Sequence, residues 1–135
     1  MIKQKEFLLS NHSRGFHIIT DEVVNELDLP EAGLLNLFIH HTSAGLTINE
    51  NYDSSVLDDF ETSFNELIPE NMPYYTHTVE GPDDMPAHIK STLVGSSITI
   101  PITDGKLNLG TWQGIYLCEF RNGKRRRKVV ATIYY

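Results

Sequence analysis

Three histidines lie in polar, turn-flanked segments of the chain: His41, His77 and His88. Imidazole changes charge near neutral pH and also binds borderline metals such as zinc. A single histidine is more often a hydrogen-bonded structural residue than a functional one, so a shared chemical role requires that the three rings converge. Their predicted positions are a strand end, a loop and the start of a helix. Such element ends commonly surround a pocket, and three neutral imidazoles would leave one metal coordination position open for water or substrate.

The chain lacks the sequence motifs of several common enzyme classes and metal sites. The chain has no His-Glu-x-x-His motif, so the spacing of its histidines is by itself weak evidence for a metal. Its only cysteine, Cys118, excludes an internal disulfide and a zinc site built from several cysteines. The chain also lacks a Walker-type glycine loop and a Gly-x-Ser-x-Gly elbow, which removes support from common nucleotide and serine hydrolases.

Basic residues concentrate in one run, Lys124–Lys128, which holds five of the eleven lysines and arginines. The net charge of -7 argues against general affinity for nucleic acid, because phosphate binding depends on a basic surface. Strand alternation predicts that Arg125 and Arg127 share the core-facing side of the last strand, whereas Arg126 faces the other way. Inward guanidinium groups need anionic partners. A structural ion pair with Glu119 and a phosphate-bearing ligand both remain open.

The 135 residues are typical of one domain, residues 1–135, with an ordinary globular composition. No apolar run is long enough to span a bilayer and the first ten residues lack a signal-peptide core, so we expect a cytoplasmic protein that does not bind membranes. Apolar periodicity predicts more strands than helices, which favours an α+β fold with a largely antiparallel β-sheet and two or three helices. The predicted strands cover residues 6–9, 16–19, 34–40, 44–49, 98–102, 106–109, 113–121 and 125–135, and the predicted helices cover residues 20–27, 54–68 and 86–94.

Four segments of the chain predict specific local structures. The two N-terminal strands flank turn residues and suggest a hairpin. Residues 34–40 are nearly all apolar, which predicts a strand buried on both faces. Asn122-Gly123 lies between alternating segments and predicts a second hairpin. The aromatic C-terminal end, Ile133–Tyr135, would be an exposed sheet edge unless another chain or element covers it.

Several motifs together resemble the YjbQ-like family, also called secondary thiamine-phosphate synthases. They extend from Ser13-Arg14-Gly15-Phe16-His17 to the C-terminal arginine strand and so cover nearly the whole chain. The Gly110-Thr111-Trp112-Gln113 motif is the most specific of them. The others are His41-Thr42-Ser43-Ala44, Thr47-Ile48-Asn49-Glu50, His77, Asp84-Met85-Pro86-Ala87-His88-Ile89-Lys90-Ser91 and Leu93-Val94-Gly95-Ser96-Ser97.

This resemblance implies a homotrimer with a metal site at His41, His77 and His88. Zinc is the expected ion, and magnesium is an alternative that suits a diphosphate substrate. The implied activity joins a hydroxymethylpyrimidine diphosphate to a thiazole phosphate and releases diphosphate. The corresponding partners are other copies of the chain and a phosphorylated small molecule.

The residues are compatible with that chemistry. A divalent ion could polarise the diphosphate leaving group while Arg125, Arg127 and Lys90 neutralise phosphate charge. Candidates for proton transfer or hydrogen bonding are Asn49, Glu50 and Asp58, and candidates for substrate contact are Thr111, Trp112 and Gln113, whose tryptophan either fills the core or walls a pocket. Two other functions fit the same residues: a trimeric protein that binds a phosphorylated metabolite without turnover, and a metal-dependent phosphoester hydrolase.

Overall fold

Eight strands and three helices form the fold in a computed structural model, which describes all 135 residues. This composition confirms the predicted α+β class. The elements in chain order are β1 (Ile2–Leu8), β2 (His12–Ile18), α1 (Thr20–Val24), β3 (Ala32–Ile39), β4 (Ala44–Glu50), α2 (Ser54–Leu67), α3 (Asp84–Val94), β5 (Ser97–Thr103), β6 (Lys106–Leu107), β7 (Gln113–Arg125) and β8 (Lys128–Tyr134).

The strands form two antiparallel sheets that pack face to face. One sheet has the order β1-β8-β3-β5-β6, and the smaller sheet has the order β2-β7-β4. Their facing side chains form one apolar core, to which Leu35 and Val129 contribute from the larger sheet and Leu46 and Leu117 from the smaller one. Apolar residues alternate along these strands because successive side chains point to opposite faces.

The two long helices cover the other face of the smaller sheet. Phe60 and Phe64 of α2 pack with Phe16, Tyr116 and Phe120 in a second apolar cluster. Strand β7 is therefore buried on both faces, which matches its unbroken run of buried residues. The molecule has three layers: the larger sheet, the smaller sheet and the helices. None of the helices is both long and apolar enough to span a membrane.

The predicted N-terminal hairpin is wrong. Strand β1 pairs with β8 in the larger sheet, whereas β2 pairs with β7 in the smaller one. The intervening turn residues thus carry the chain from one sheet to the other. Strand β3 also differs from its prediction, because Leu34 and Phe38 are 45% and 41% exposed while Leu35 and Leu37 are buried. The outer face of the larger sheet is thus open, although it carries apolar side chains.

The hairpin predicted at Asn122-Gly123 is replaced by a bulge. Gly15 pairs with Glu119 and Ser13 pairs with Lys124, so β7 carries extra residues between these two pairs. A bulge bends a strand and redirects its side chains without reversing the chain. Strand β8 then lies between β1 and β3. Elements of the same chain therefore cover the C-terminal strand on both sides, and it is not an exposed sheet edge.

Candidate functional site

Two imidazoles and a carboxylate converge where α3 begins. Asp84 is the first residue of α3, His88 lies one turn later, and His77 lies in the loop between α2 and α3. Asp84 Oδ2 is 2.6 Å from His77 Nε2 and 3.0 Å from His88 Nε2. One ligand atom from each residue lies within 4.8 Å of the others, which is close enough for the three to hold one metal ion. We call these three residues the His-Asp-His cluster.

Arg121 holds the carboxylate of the cluster from behind. The β7 bulge directs its guanidinium toward the start of α3, where Nη1 donates to Asp84 Oδ1 at 2.6 Å. Nε of Arg121 also donates to Asp83 Oδ2 at 2.8 Å, and the Asn122 backbone N–H donates to the same oxygen. Asp83 and Asp84 are both buried. Buried carboxylates require this kind of pairing because an uncompensated charge is very costly.

These partners keep Asp84 ionised. Burial acts to raise the pKa of Asp84, but the hydrogen bond from His77 and the charges of His88 and Arg121 outweigh it, so the pKa is lowered. An ionised carboxylate is the form that binds a metal. Asp84 is therefore able to act as a ligand at neutral pH.

The orientation of His88 suits metal binding. Its Nδ1 lies 2.9 Å from the carbonyl oxygen of Thr42, to which it donates, so Nε2 points at Asp84. Both nitrogens thus face oxygen atoms of neighbouring groups. A metal at Nε2 would take the place of the contact with Asp84, and the Thr42 carbonyl would fix the ring as in other histidine metal sites. Two histidines and one carboxylate fit zinc with an open position.

His41 lies outside the cluster. Its Nε2 accepts a hydrogen bond from the Lys128 backbone N–H at 2.8 Å, which occupies the lone pair that a metal would need. Burial and then the charge of Arg127 lower the pKa of His41, so the ring is neutral at pH 7. Its Nδ1 therefore carries the proton and is available as a donor. The third ligand atom within one chain is supplied by Asp84 instead.

Two clefts lie beside the cluster. The first, the hydroxyl cleft, measures about 390 Å³ and is lined by His41, His88 and hydroxyl groups of Thr42, Ser91, Thr92 and Ser96. The second, the thioether cleft, measures about 190 Å³ and is lined by His77 together with Met72, Tyr75, Met85 and their neighbours. Because His77 and His88 border different clefts, the cluster stands between them.

The basic candidates occupy different settings. Arg127 is buried, and its guanidinium donates to both carboxylate oxygens of Glu119 at 2.7 and 2.6 Å. Its charge is thus satisfied inside the chain, as the structural alternative predicted. Arg125 donates to the Asn122 carbonyl, but its Nε is buried without a partner. Lys90 is 1% exposed, donates to an asparagine oxygen, and has its pKa lowered by burial.

The remaining candidates lie away from the cluster within one chain. Glu50 pairs with Gln113 at one end of the smaller sheet, whereas Ala44 pairs with Glu119 near the hydroxyl cleft. This separation along β4 is about 20 Å. Trp112 is 59% exposed and so does not fill the core. Asn49 and Thr111 share the end of the sheet that holds Glu50, and Asp58 is exposed on α2.

The sequence contained a signal for one of the two overlooked residues. Asp84 precedes His88 by four positions, a spacing that places both side chains on one face because α3 begins two residues before its predicted start. Arg121 gave no comparable signal, because its direction depends on a bulge set by pairing with β2. Only the three-dimensional register brings it to Asp84.

Comparison with known proteins gives consistent matches across the chain. The family model described as UPF0047 protein YjbQ-like matches residues 5–135. The UPF0047 protein YjbQ of Salmonella typhimurium is 50% identical over 133 residues, covering 96% of each chain. The UPF0047 protein YjbQ of Escherichia coli O157:H7 is 48% identical with the same coverage.

Solved structures agree with these matches. The crystal structure of a conserved hypothetical protein from Thermus thermophilus has a TM-score of 0.86 at 35% identity, with 96% of this chain and 99% of that chain covered. A YjbQ/UPF0047 family protein from Clostridium acetobutylicum has a TM-score of 0.77 at 40% identity, with 98% and 99% covered. The sequence and fold together therefore make this chain a member of the YjbQ-like UPF0047 family.

Proposed function

We propose that this protein is a cytoplasmic, metal-dependent transferase that acts on phosphorylated small molecules. The specific reaction is that of a secondary thiamine-phosphate synthase, which joins a hydroxymethylpyrimidine diphosphate to a thiazole phosphate and releases diphosphate. The observation that carries the proposal is the convergence of His77, Asp84 and His88 between two clefts.

The donor set supports a zinc ion. Bound there, zinc would act as a Lewis acid toward phosphate oxygens. The chain's own residues hold the ligands in place, since Thr42 orients His88 and Arg121 orients Asp84. His41 borders the hydroxyl cleft with a protonated Nδ1, which is suited to donate a hydrogen bond to an anionic substrate. Arg125 is the candidate for phosphate contact, because the charge of Arg127 is already paired.

The two clefts favour a transferase over a phosphoester hydrolase. A hydrolase needs room for one substrate and water, whereas a transferase must hold two organic groups near one centre. The hydroxyl cleft offers polar groups, and the thioether cleft offers Met72, Tyr75 and Met85. A polar group and a ring-bearing group therefore have different places beside the cluster.

One observation favours a binding protein without turnover. Asn49 and Glu50 lie about 20 Å along β4 from the hydroxyl cleft, so neither serves as a general base within one chain. Retention of a phosphorylated metabolite would need only the cluster and Arg125. Measured turnover separates this alternative from the transferase.

We also propose that the chain assembles as a homotrimer. The outer face of the larger sheet supports this, because it presents Ile2, Leu34, Phe38 and Tyr134 to solvent at 64%, 45%, 41% and 46% exposure. Apolar faces of this kind usually mark a contact with another chain. Closed symmetry would repeat one pocket in each copy.

Metal analysis with matched histidine variants tests the proposed function. Protein purified without added metal should contain zinc, whereas His77→Asn and His88→Asn should lose it. His17→Asn is the control, because His17 contacts the Ser13 carbonyl outside the cluster. Diphosphate release from the two substrates should be retained in the wild type and in His17→Asn and lost in the two cluster variants.

Zinc affinity should also fall below about pH 6.5, where protons compete with the metal for imidazole. Metal content unchanged in both cluster variants would contradict the site.

A further inference from the structure

Arg121 makes three separate contacts at the start of α3. Its Nη1 donates to Asp84 Oδ1 at 2.6 Å, and its Nε donates to Asp83 Oδ2 at 2.8 Å. Its Nη2 donates to the Glu80 carbonyl at 3.1 Å. Of the lysines and arginines, Arg121 alone is within salt-bridge distance of either carboxylate. One guanidinium thus connects the carboxylate of the cluster, its buried neighbour and the loop before α3.

These contacts restrict the atoms that would bind the metal. Arg121 holds Asp84 Oδ1, so Oδ2 is left facing His77 and His88. Glu80 lies three residues after His77 in the same loop, so the contact with its carbonyl also limits how far that loop can move. Ligands held in place before binding lose less conformational freedom when the metal arrives.

We propose that Arg121 is a positioning residue that aligns Asp84 and the His77 loop for metal binding, an inference that rests on the proposed metal site. The planar guanidinium presents several donors in a fixed arrangement, so it reaches both carboxylates and the carbonyl at once. A lysine ammonium keeps the charge but lacks this geometry. The role therefore depends on the shape of the side chain as well as on its charge.

Zinc affinity of Arg121→Lys tests the inference against two controls. The dissociation constant should rise about tenfold or more, the usual effect of losing a group that orients a metal ligand. Arg126→Lys makes the same chemical change at an exposed arginine that contacts backbone carbonyls of β1 and its following turn. Arg14→Lys disrupts a partly buried network with Glu61, Asn65, Glu70 and the Asn122 side chain, and Arg14 itself does not contact Asp83 or Asp84. Both controls should keep wild-type affinity, even where Arg14→Lys lowers the melting temperature.

The outcomes separate positioning from charge and from general stability. Wild-type affinity in Arg121→Lys, with tighter binding in Arg121→Met, would mean that Arg121 acts only as a charge and would overturn the proposal. Equal losses in Arg14→Lys and Arg121→Lys would assign the effect to stability and would also overturn it.

A wild-type chain that binds no zinc would refute the proposed function. The role of Arg121 in holding the loop is then tested by a measurement on the metal-free protein. Amide hydrogen exchange at Gly81 and Asp84 should then be faster in Arg121→Lys than in the wild type. Unchanged exchange would show that Arg121 does not hold the loop.

Discussion

His88 and His41 illustrate how hydrogen-bond partners assign different chemistry to the same side chain. His88 directs both nitrogens at oxygen acceptors, whereas His41 accepts a backbone N–H at Nε2. The first arrangement directs Nε2 at the Asp84 carboxylate, and the second leaves a neutral ring beside the hydroxyl cleft. Residue type alone does not separate these two roles.

The lowered pKa of His41 predicts a pH dependence of stability. Burial and the charge of Arg127 lower its pKa below the ordinary value of 6.5, so the unfolded chain binds more protons in the window just below 6.5. The free energy of unfolding contributed by this residue is therefore present above pH 6.5 and falls as the pH drops through the lowered value. Urea unfolding at several pH values should show a steeper acid loss for the wild type than for His41→Gln. Parallel curves would contradict this assignment.

Arg127 offers a second prediction at the scale of one residue. Arg127→Met should lower the free energy of unfolding by about 3–5 kcal/mol, because it leaves the Glu119 carboxylate buried without its partner. Arg126→Met is the control, since Arg126 is exposed and should lose much less. Chemical denaturation measures both. Similar losses at the two positions would indicate a diffuse basic surface instead of a buried pair.

The junction of β4 with α3 shows how the elements hold the site. Gly45 lies against the end of α3, where an added Cβ would be 2.8 Å from the Gly95 carbonyl oxygen and 2.9 Å from Val94 Cγ1. This close approach places α3 beside the strand that follows His41. The hydroxyl cleft, which contains Gly95, depends on the same contact.

Gly45→Ala should destabilise the protein and disturb the cleft. The added methyl group must displace backbone atoms, and overpacking of this kind costs about 1–3 kcal/mol. Thermal unfolding measures the loss. Gly123→Ala is a useful comparison for space, since a Cβ there would meet nothing within 4 Å, although its φ of 84° adds its own strain. A variant with Ala at position 45 that keeps wild-type stability would show that α3 moves easily.

At the scale of the whole molecule, the apolar outer face of the larger sheet and the His-Asp-His cluster lie on different sides of the fold. Its inner face packs on the smaller sheet, and its outer face carries exposed Leu34 and Phe38. The His-Asp-His cluster lies at the start of α3, on the helical side of the smaller sheet. Assembly through the outer face would therefore leave the cluster open.

Phe38→Glu tests the proposed homotrimer. Light scattering of the wild type should give about three times the 15.3 kDa chain mass, whereas the added charge should shift the variant toward the monomer. Thr62→Glu adds the same charge at an exposed position of α2 and should leave the mass unchanged. A wild-type monomer, or a trimer unaffected by Phe38→Glu, would reject assembly through this face.

The sequence by itself determined the α+β class, the two main helices and the histidines His77 and His88 of the cluster. These follow from local patterns, because apolar periodicity sets helix and strand, and imidazole is a side chain that is able to bind a metal. The tertiary structure decided which strands pair, that β8 is an interior strand and that Asp84 and Arg121 join the histidines. Strand pairing and side-chain direction at a bulge depend on residues far apart in the chain, so no local pattern contains them.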